Sequence, residues 1–335
     1  MANILNGCRQ RLLLTIFCTF VLGVFFGYLM NSNLRHKVDY TKIKVGTFHP
    51  VLSEILTRHP LQPPYPYPYK FLIKLQDKCS VRKPFLVILV PSRCYDTASR
   101  NIIRETWGNE LNYHSVDVVT LFLIGISPTQ CEPEENLLKD ESDFYRDIIQ
   151  QDFLDTYYNL TLKTLMGVEW VAKFCSIASY VVKIDTDMFL NVEYLIHELL
   201  RPDLPVRTNY YTGQLISNVG PVREKDDKWY VPEEIYPNKI YPPYCSGSGY
   251  VFSTDLAKKI YDVAQVIKII PMEDVFMGIV LKELNVSPEK APGNLFNRYD
   301  KYNRCTFHKL ITAHIDGEDL QEIWRNFWTN KTLGC

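Results

Sequence analysis

The chain has 335 residues, of which 46% are hydrophobic and 22% charged, and its formal net charge is −1. This composition can supply a sizeable core and excludes a wholly disordered chain. A near-neutral charge also argues against broad nucleic-acid binding, which usually shows as a basic face.

The first predicted element is an apolar helix at residues 12–30, nineteen residues without a charge that follow Arg9 and Arg11. At about 1.5 Å per residue it approaches the roughly 30 Å thickness of the hydrocarbon layer. The alternative is a cleaved signal peptide, but the run closes without a small-residue cleavage site. We therefore predict a cytoplasmic tail at 1–11 and a retained transmembrane anchor at 12–30. The Gly23-x-x-x-Gly27 spacing leaves helix pairing, and so a homodimer, open.

Basic residues lie on both sides of the anchor, so charge alone does not set its orientation. Asn159, Asn285 and Asn330 begin glycosylation sequons, which function on the lumenal side, although Pro288 weakens the second one. Seven of the nine cysteines follow the anchor, and this number suits an oxidising compartment. Because seven is odd, at least one thiol is free or pairs between chains. These features together predict a single-pass type II membrane protein.

Residues 31–78 are polar and then rich in proline, with tyrosines between the prolines from residue 63 to residue 69. Proline at this density favours extended chain over helix or central strand. We predict a stem at 31–78 and a lumenal catalytic domain at 79–335. Alternatively, the proline-rich segment is a ligand that a peptide-recognition domain binds.

The domain alternates apolar runs with helical patterns. The runs at 85–90, 118–124 and 180–184 predict buried strands, and the spacing at 98–107, 160–174 and 191–200 predicts helices. Such alternation indicates an α/β fold whose mainly parallel sheet carries helices on both faces. Ligands of these sheets bind outside the carboxyl ends of the strands.

Asp185 and Asp187 come directly after the third predicted strand. Two carboxylates repel each other there unless a cation compensates them, and a hard divalent ion with oxygen ligands would do so. The alternatives are a surface turn without function and a phosphatase with Asp185 as its nucleophile. Phe189 argues against the phosphatase, because those enzymes have a small hydroxyl or β-branched residue near that position.

A second acidic pair, Glu273 and Asp274, lies between apolar flanks and is predicted to begin a helix. In a partly dry cleft such a carboxylate gains the basicity of a general base. Gly247 and Gly249 would let the backbone approach a ligand, but no third glycine completes a dinucleotide fingerprint.

With these motifs the chain resembles the β-1,3-galactosyltransferase and β-1,3-N-acetylglucosaminyltransferase family over residues 79–328. The motifs that carry the resemblance follow in order: 100–108 (RNIIRETWG), 122–125 (FLIG), 147–155 (DIIQQDFLD), 158–164 (YNLTLKT), 183–189 (KIDTDMF), 228–230 (KWY), 241–250 (YPPYCSGSGY) and 273–276 (EDVF). The galactosyl branch is the more similar one, since the other branch more often has a third Asp where this chain has Thr186.

The resemblance implies a GT-A type fold in the Golgi membrane, UDP-galactose as donor, Mn²⁺ as metal, and a glycan acceptor on protein or lipid. The residues to which it assigns roles fall into four groups. The metal would be bound by Asp187, His314 and Asp185, and the nucleotide sugar would be contacted by Asp185, Arg104 and Lys163. Asp274 would be the base, with Glu273 beside it as an acceptor contact. The acceptor groove would be lined by Trp229, Tyr244, Gly247 and Gly249. A UDP-GlcNAc-dependent transferase and a non-catalytic lectin or chaperone on the same scaffold remain alternatives.

Overall fold

The structure is a computed structural model that describes residues 61–67, 69–127, 135–293, 295–296, 301–315 and 319–329. All of these residues belong to one compact unit. No helix within the described ranges is long and apolar enough to cross a bilayer. The predicted tail and anchor, and most of the predicted stem, lie outside the described residues.

The described residues form a mixed sheet of eight strands in the order β1-β4-β3-β2-β5-β8-β7-β9. Its strands are β1 Phe71–Ile73, β2 Leu86–Pro91, β3 Val118–Ile126, β4 Ile148–Leu154, β5 Tyr180–Ile184, β7 Tyr211–Ile216, β8 Tyr244–Ser253 and β9 Glu289–Lys290. The central strands β4, β3, β2 and β5 are parallel. Strand β8 runs antiparallel to β5 and to β7. A separate two-stranded sheet pairs β6 (Met188–Leu190) with β10 (Thr312–His314).

Alternating side chains of the central strands enter two separate cores, one on each face of the sheet. On β2, Val87 and Leu89 join one core, whereas Leu86, Ile88 and Val90 join the other. All six residues of this strand are buried, as expected for a strand covered on both faces.

Helices cover both of these faces. They are α1 Thr97–Glu105, α2 Glu135–Tyr145, α3 Leu160–Phe174, α4 Val192–Tyr194, α5 Thr254–Ala264, α6 Glu273–Glu283, α7 Arg304–Phe307 and α8 Leu320–Thr329. Residues of α3, α5 and α6 pack in the core with Val87, and residues of α1 and α8 pack in the core with Leu86. The predicted α/β fold with covered faces is therefore confirmed.

The stem boundary predicted at residue 78 is too late. Strand β1 pairs antiparallel with β4, and Tyr65 and Tyr69 pack against the core. The indole of Trp170 also donates to the carbonyl of Lys74 at 2.5 Å. Residues 61–67 and 69–78 thus belong to the folded domain, because the aromatic side chains between the prolines find apolar partners there.

Five of the seven cysteines that follow the predicted anchor lie within the described residues. Cys79 forms a disulfide with Cys175, and Cys94 and Cys305 are each disulfide-bonded. Cys245 is a free, buried thiol on β8. Cys131 and Cys335 lie outside the described residues.

Candidate active site

The loop between β5 and β6 carries the two aspartates of the DxD motif. The backbone N–H of Asp185 donates to the carbonyl of Ser248 at 3.3 Å, which ties the loop to β8. The Asp187 side chain is 61% exposed, so its carboxylate is open to solvent. In the β6–β10 pair, Met188 lies opposite His314, and this register brings His314 Nε2 to 3.2 Å from Asp187 Oδ2. The structure thus brings these two predicted metal residues together.

Strand β8 supplies the glycine-rich wall of the same site. Gly249 lies opposite Ile184, the last residue of β5. The backbone N–H of Gly247 donates to Asp274 Oδ2 at 3.1 Å. A Cβ added at Gly247 would lie 3.2 Å from a carboxylate oxygen of Glu273, so a larger residue would crowd the acidic pair. A β-carbon here would require the acidic side chains to shift by a few tenths of an ångström.

Helix α6 begins with the acidic pair, as predicted. Glu273 is 7% exposed and accepts a hydrogen bond from the Tyr250 hydroxyl at 2.5 Å. Asp274 is partly exposed and accepts from the backbone N–H of Val275 at 2.8 Å as well as from Gly247. Burial raises the pKa of both carboxyls above the ordinary range, and at Asp274 the two backbone donors partly offset this effect.

Lys183 is a site residue to which the sequence motifs gave no separate role. Its side chain is 4% exposed, and its ammonium lies 2.7 Å from Asp185 Oδ1 and 3.5 Å from Glu273 Oε2. Burial alone would lower its pKa, but the neighbouring carboxylates of Asp185 and Glu273 offset this and raise the pKa above its ordinary value. A lone charged residue in the apolar run YVVKI is the sequence signal that could have identified it.

Lys163 and Arg104, both predicted on the nucleotide side, have partners within the protein. Lys163 Nζ donates to the Ser92 carbonyl at 2.5 Å and to Asp155 at 2.7 Å, so it connects the loops that follow β2 and β4. Arg104 pairs with Asp147, directly before β4, at 2.8 Å. Since β4 is three strand spacings from β5 in the sheet, roughly 14 Å, Arg104 lies apart from the DxD loop.

The predicted acceptor residues Trp229 and Tyr244 differ in exposure. Trp229 is 50% exposed, with the Lys228 ammonium 5.7 Å from its ring centroid. Tyr244 is 8% exposed and belongs to the core, so little of its surface is available to an acceptor. Tyr157, which the sequence did not single out, lies under the same ammonium at 4.8 Å. Its pKa is raised first by burial and also by the charges of Asp274 and Asp185, while Trp229 opposes the shift.

The sequons occupy different settings. The side-chain amide of Asn159 donates to the Leu154 carbonyl at 2.8 Å, directly before helix α3. Asn285 is exposed and has φ +54° after the end of α6. Asn330 lies outside the described residues.

No group of three or more His, Cys, Asp and Glu side chains in the described part of the chain is arranged to hold a metal ion. Asp187 and His314 nevertheless offer a carboxylate oxygen and an imidazole nitrogen 3.2 Å apart, and both are ligands that Mn²⁺ accepts. Asp185, the third predicted ligand, is engaged by Lys183 through one oxygen.

The sequence of this chain is similar to sequences of known proteins. The galactosyltransferase family profile matches residues 98–292. Beta-1,3-galactosyltransferase 2 of Mus musculus is 45% identical over 275 residues, covering 81% of this chain and 65% of that protein. Beta-1,3-galactosyltransferase 1 of Mus musculus is 42% identical over 277 residues, covering 82% of this chain and 83% of that protein. This chain thus spans slightly less than two thirds of the length of the first relative.

Two solved structures also align. A glycosyltransferase involved in glycosylation of the major capsid of PBCV-1 has a TM-score of 0.36 and 11% identity, covering 73% of this chain and 100% of that chain. The bifunctional glycosyltransferase WbbM has a TM-score of 0.39 and 13% identity, covering 74% of this chain and 50% of that chain. The profile match and the sequence identities show that this chain belongs to the galactosyltransferase family.

Proposed function

We propose that this chain is an inverting β-1,3-galactosyltransferase with a GT-A type fold, which moves galactose from UDP-galactose to a sugar hydroxyl of a glycan on protein or lipid. The observation that carries the proposal is the convergence of the DxD loop and the acidic pair. Gly247 donates to Asp274 through its N–H, and its carbonyl accepts from Lys183, which also binds Asp185. The family and the names of the aligned relatives support the same reaction.

The proposed reaction is one in-line displacement. The acceptor oxygen bonds to the anomeric carbon of galactose while the bond from that carbon to the UDP oxygen breaks, and UDP leaves with the electron pair. A hydroxyl is a poor nucleophile near neutral pH, so Asp274 accepts its proton as the new bond forms. Attack opposite the leaving group converts an α-linked donor into a β-linked product.

The contacts of the two acidic residues favour Asp274 over Glu273 as the base. Glu273 is buried, and its two oxygens face the Tyr250 hydroxyl and the Lys183 ammonium. Asp274 is partly exposed, so an acceptor hydroxyl can reach it. The direct acceptor contact predicted for Glu273 has no support from its burial, and Glu273 instead stabilises the wall of the site.

Asp187 and His314 would hold Mn²⁺, with the diphosphate completing its coordination. A bound divalent ion would supply neutralisation of the charge on the departing UDP. We expect Asp187→Ala to abolish transfer and weaken Mn²⁺-dependent UDP binding with the fold retained, and His314→Ala to have a smaller effect. Full activity in EDTA would contradict the metal assignment.

We also propose a single-pass type II location in the Golgi membrane, because the apolar run at 12–30 precedes all three sequons. The full chain expressed in cells should stay in the membrane pellet after carbonate washing and gain gel mobility after endoglycosidase treatment. A secreted product that begins near residue 31 would refute the anchor.

A donor-by-acceptor panel with Mn²⁺ tests the function. UDP-galactose and UDP-GlcNAc are offered with glycan and glycolipid acceptors, and product linkage is read from anomeric proton couplings. Transfer from UDP-galactose with a β linkage supports the proposal. Transfer from UDP-GlcNAc alone would assign the other branch of the family, and glycan binding without turnover would indicate a lectin.

A further inference from the structure

The buried lysine on β5 touches both halves of the proposed site. Lys183 Nζ lies 2.7 Å from Asp185 Oδ1, which belongs to the DxD loop. The same ammonium donates to the carbonyl of Gly247 at 2.5 Å and lies 3.5 Å from Glu273 Oε2 at the start of α6. One cation therefore contacts three separate elements: the loop after β5, strand β8 and helix α6.

Gly247 extends this link to the proposed base. Its carbonyl accepts from Lys183, while its N–H donates to Asp274 Oδ2 at 3.1 Å. Because the backbone of one residue joins the two contacts, a shift of the Lys183 ammonium would also move the donor that orients Asp274. Within the described residues, the other hydrogen bond to the Asp274 carboxylate comes from the adjacent Val275 N–H at 2.8 Å. Gly247 therefore supplies the hydrogen bond that holds Asp274 from outside its own helix.

Charge balance explains why a cation is placed here. Asp185, Glu273 and Asp274 all lie close enough to the buried Lys183 ammonium to interact with its charge. Neighbouring carboxylates repel one another unless a cation compensates them. Hydrogen bonds in which one partner is ionised are also stronger and geometrically stricter than neutral ones. An apolar side chain at position 183 would leave Glu273 without its ion partner and Asp185 free to rotate.

We infer that Lys183 is a positioning residue that sets the donor-side carboxylate Asp185 and, through Gly247, the base Asp274 in one fixed arrangement. The inference rests on the proposed function. It predicts that loss of Lys183 weakens the binding of UDP, raises the KM for the acceptor and also lowers kcat. Loss of a residue that contacts only the donor would not change the KM for the acceptor.

The test compares the full-length chain with Lys183→Met, which removes every donor, and Lys183→Gln, which keeps an amide donor. Lys259→Met is the matched control, since it removes a lysine from an ion pair with Asp255 at 2.6 Å on helix α5. Initial rates give kcat and both KM values, and calorimetric titration with UDP and Mn²⁺ gives Kd and the fraction of folded sites.

Lys183→Met is expected to raise the Kd for UDP and the KM for the acceptor by about tenfold or more each, and to lower kcat by a similar factor, the size expected when a charge-assisted hydrogen bond is lost. Lys183→Gln should fall between Lys183→Met and the unmodified protein, and Lys259→Met should match the unmodified protein. If Lys183→Met does not fold, the kinetic constants of Lys183→Gln test the positioning role instead.

Unchanged kinetic constants per folded site in the variants, with only a lower melting temperature, would overturn the positioning role and make Lys183 purely structural. An effect confined to UDP binding would also overturn it, because Asp274 would then be independent of Lys183. If the unmodified protein transfers no galactose, the proposed function fails first, so the two failures are distinguishable.

Discussion

Replacing Asp274 with Asn tests the mechanism while keeping the shape of the side chain. The Asp274 carboxylate accepts from the N–H groups of Gly247 and Val275 at 3.1 and 2.8 Å. An amide has one acceptor oxygen, so one of these donors loses its partner, at a cost of about 0.5–1.5 kcal/mol. Removing a partly desolvated charge offsets part of this cost, so we expect the fold to survive.

The rate should change far more than the stability. Loss of a general base typically lowers kcat by about 10²–10⁴-fold, which corresponds to roughly 2.7–5.5 kcal/mol of transition-state free energy. The affinity for UDP should barely change, because the proposed base acts on the acceptor hydroxyl rather than on the diphosphate. Initial rates at saturating UDP-galactose measure kcat, and calorimetry with UDP and Mn²⁺ measures binding.

Glu273→Gln is the comparison variant for this experiment. Its side chain is buried against Tyr250 and Lys183, so the substitution should destabilise the site but spare more of kcat than Asp274→Asn does. An Asp274→Asn enzyme with near-normal turnover, or a Glu273→Gln enzyme with the larger loss, would refute the assignment of the base.

Three further outcomes are expected. Because burial raises the pKa of Asp274, the acid limb of kcat/KM should lie above the ordinary Asp value of about 3.9, with activity lost as the pH falls through the raised pKa, as a pH–rate profile would show. Cys79→Ser opens a disulfide between residues 96 positions apart and should lower the free energy of unfolding by about 4–5 kcal/mol, as measured by denaturant titration. Gly278→Ala would place a Cβ 2.9 Å from a backbone oxygen. The substitution should lower the free energy of unfolding by about 1–3 kcal/mol, which would be measured as a lower melting temperature.

Each of these outcomes has its own control. Asp274→Asn should lose the acid limb of the pH–rate profile along with most of its activity. An unchanged acid limb would mean that another group titrates there. Unchanged unfolding of Cys79→Ser would mean that the loop is held by other contacts. Lys282→Ala, on an exposed position of the same helix as Gly278, should leave the melting temperature unchanged, and an equal loss there would contradict the packing argument.

The sequence predicted the regular elements well where burial is simple. The structure has β5 at Tyr180–Ile184 and α3 at Leu160–Phe174, with the predicted bounds, because apolar periodicity dominates in both segments. Residues 244–253 form a long strand that contains Gly247 and Gly249, and no strand was predicted there from the sequence. Glycine has low strand propensity, and only the approach of α6 and β10 explains its presence there.

The sequence singles out the acidic residues of the candidate site more readily than the residue that holds them in place. Carboxylates next to apolar runs conflict with burial, and this conflict marks Asp185, after a predicted strand, and Asp274, between apolar flanks, in the sequence alone. Lys183 compensates that conflict from inside the strand, where it is the one charged residue of an apolar run. Its partners come from α6 and β8, far along the chain, so the sequence can single out the lysine but only the folded arrangement identifies its partners.

The pairing of β1 with β4 determines where a soluble fragment of this protein can begin. A fragment starting at Cys79 would lack β1 and expose the outer backbone of β4, and an unpaired strand edge tends to pair with another chain. It would also lose the Lys74 carbonyl that accepts from the Trp170 indole. A secreted fragment that begins before Leu61 should stay monodisperse at concentrations where one beginning at Cys79 aggregates.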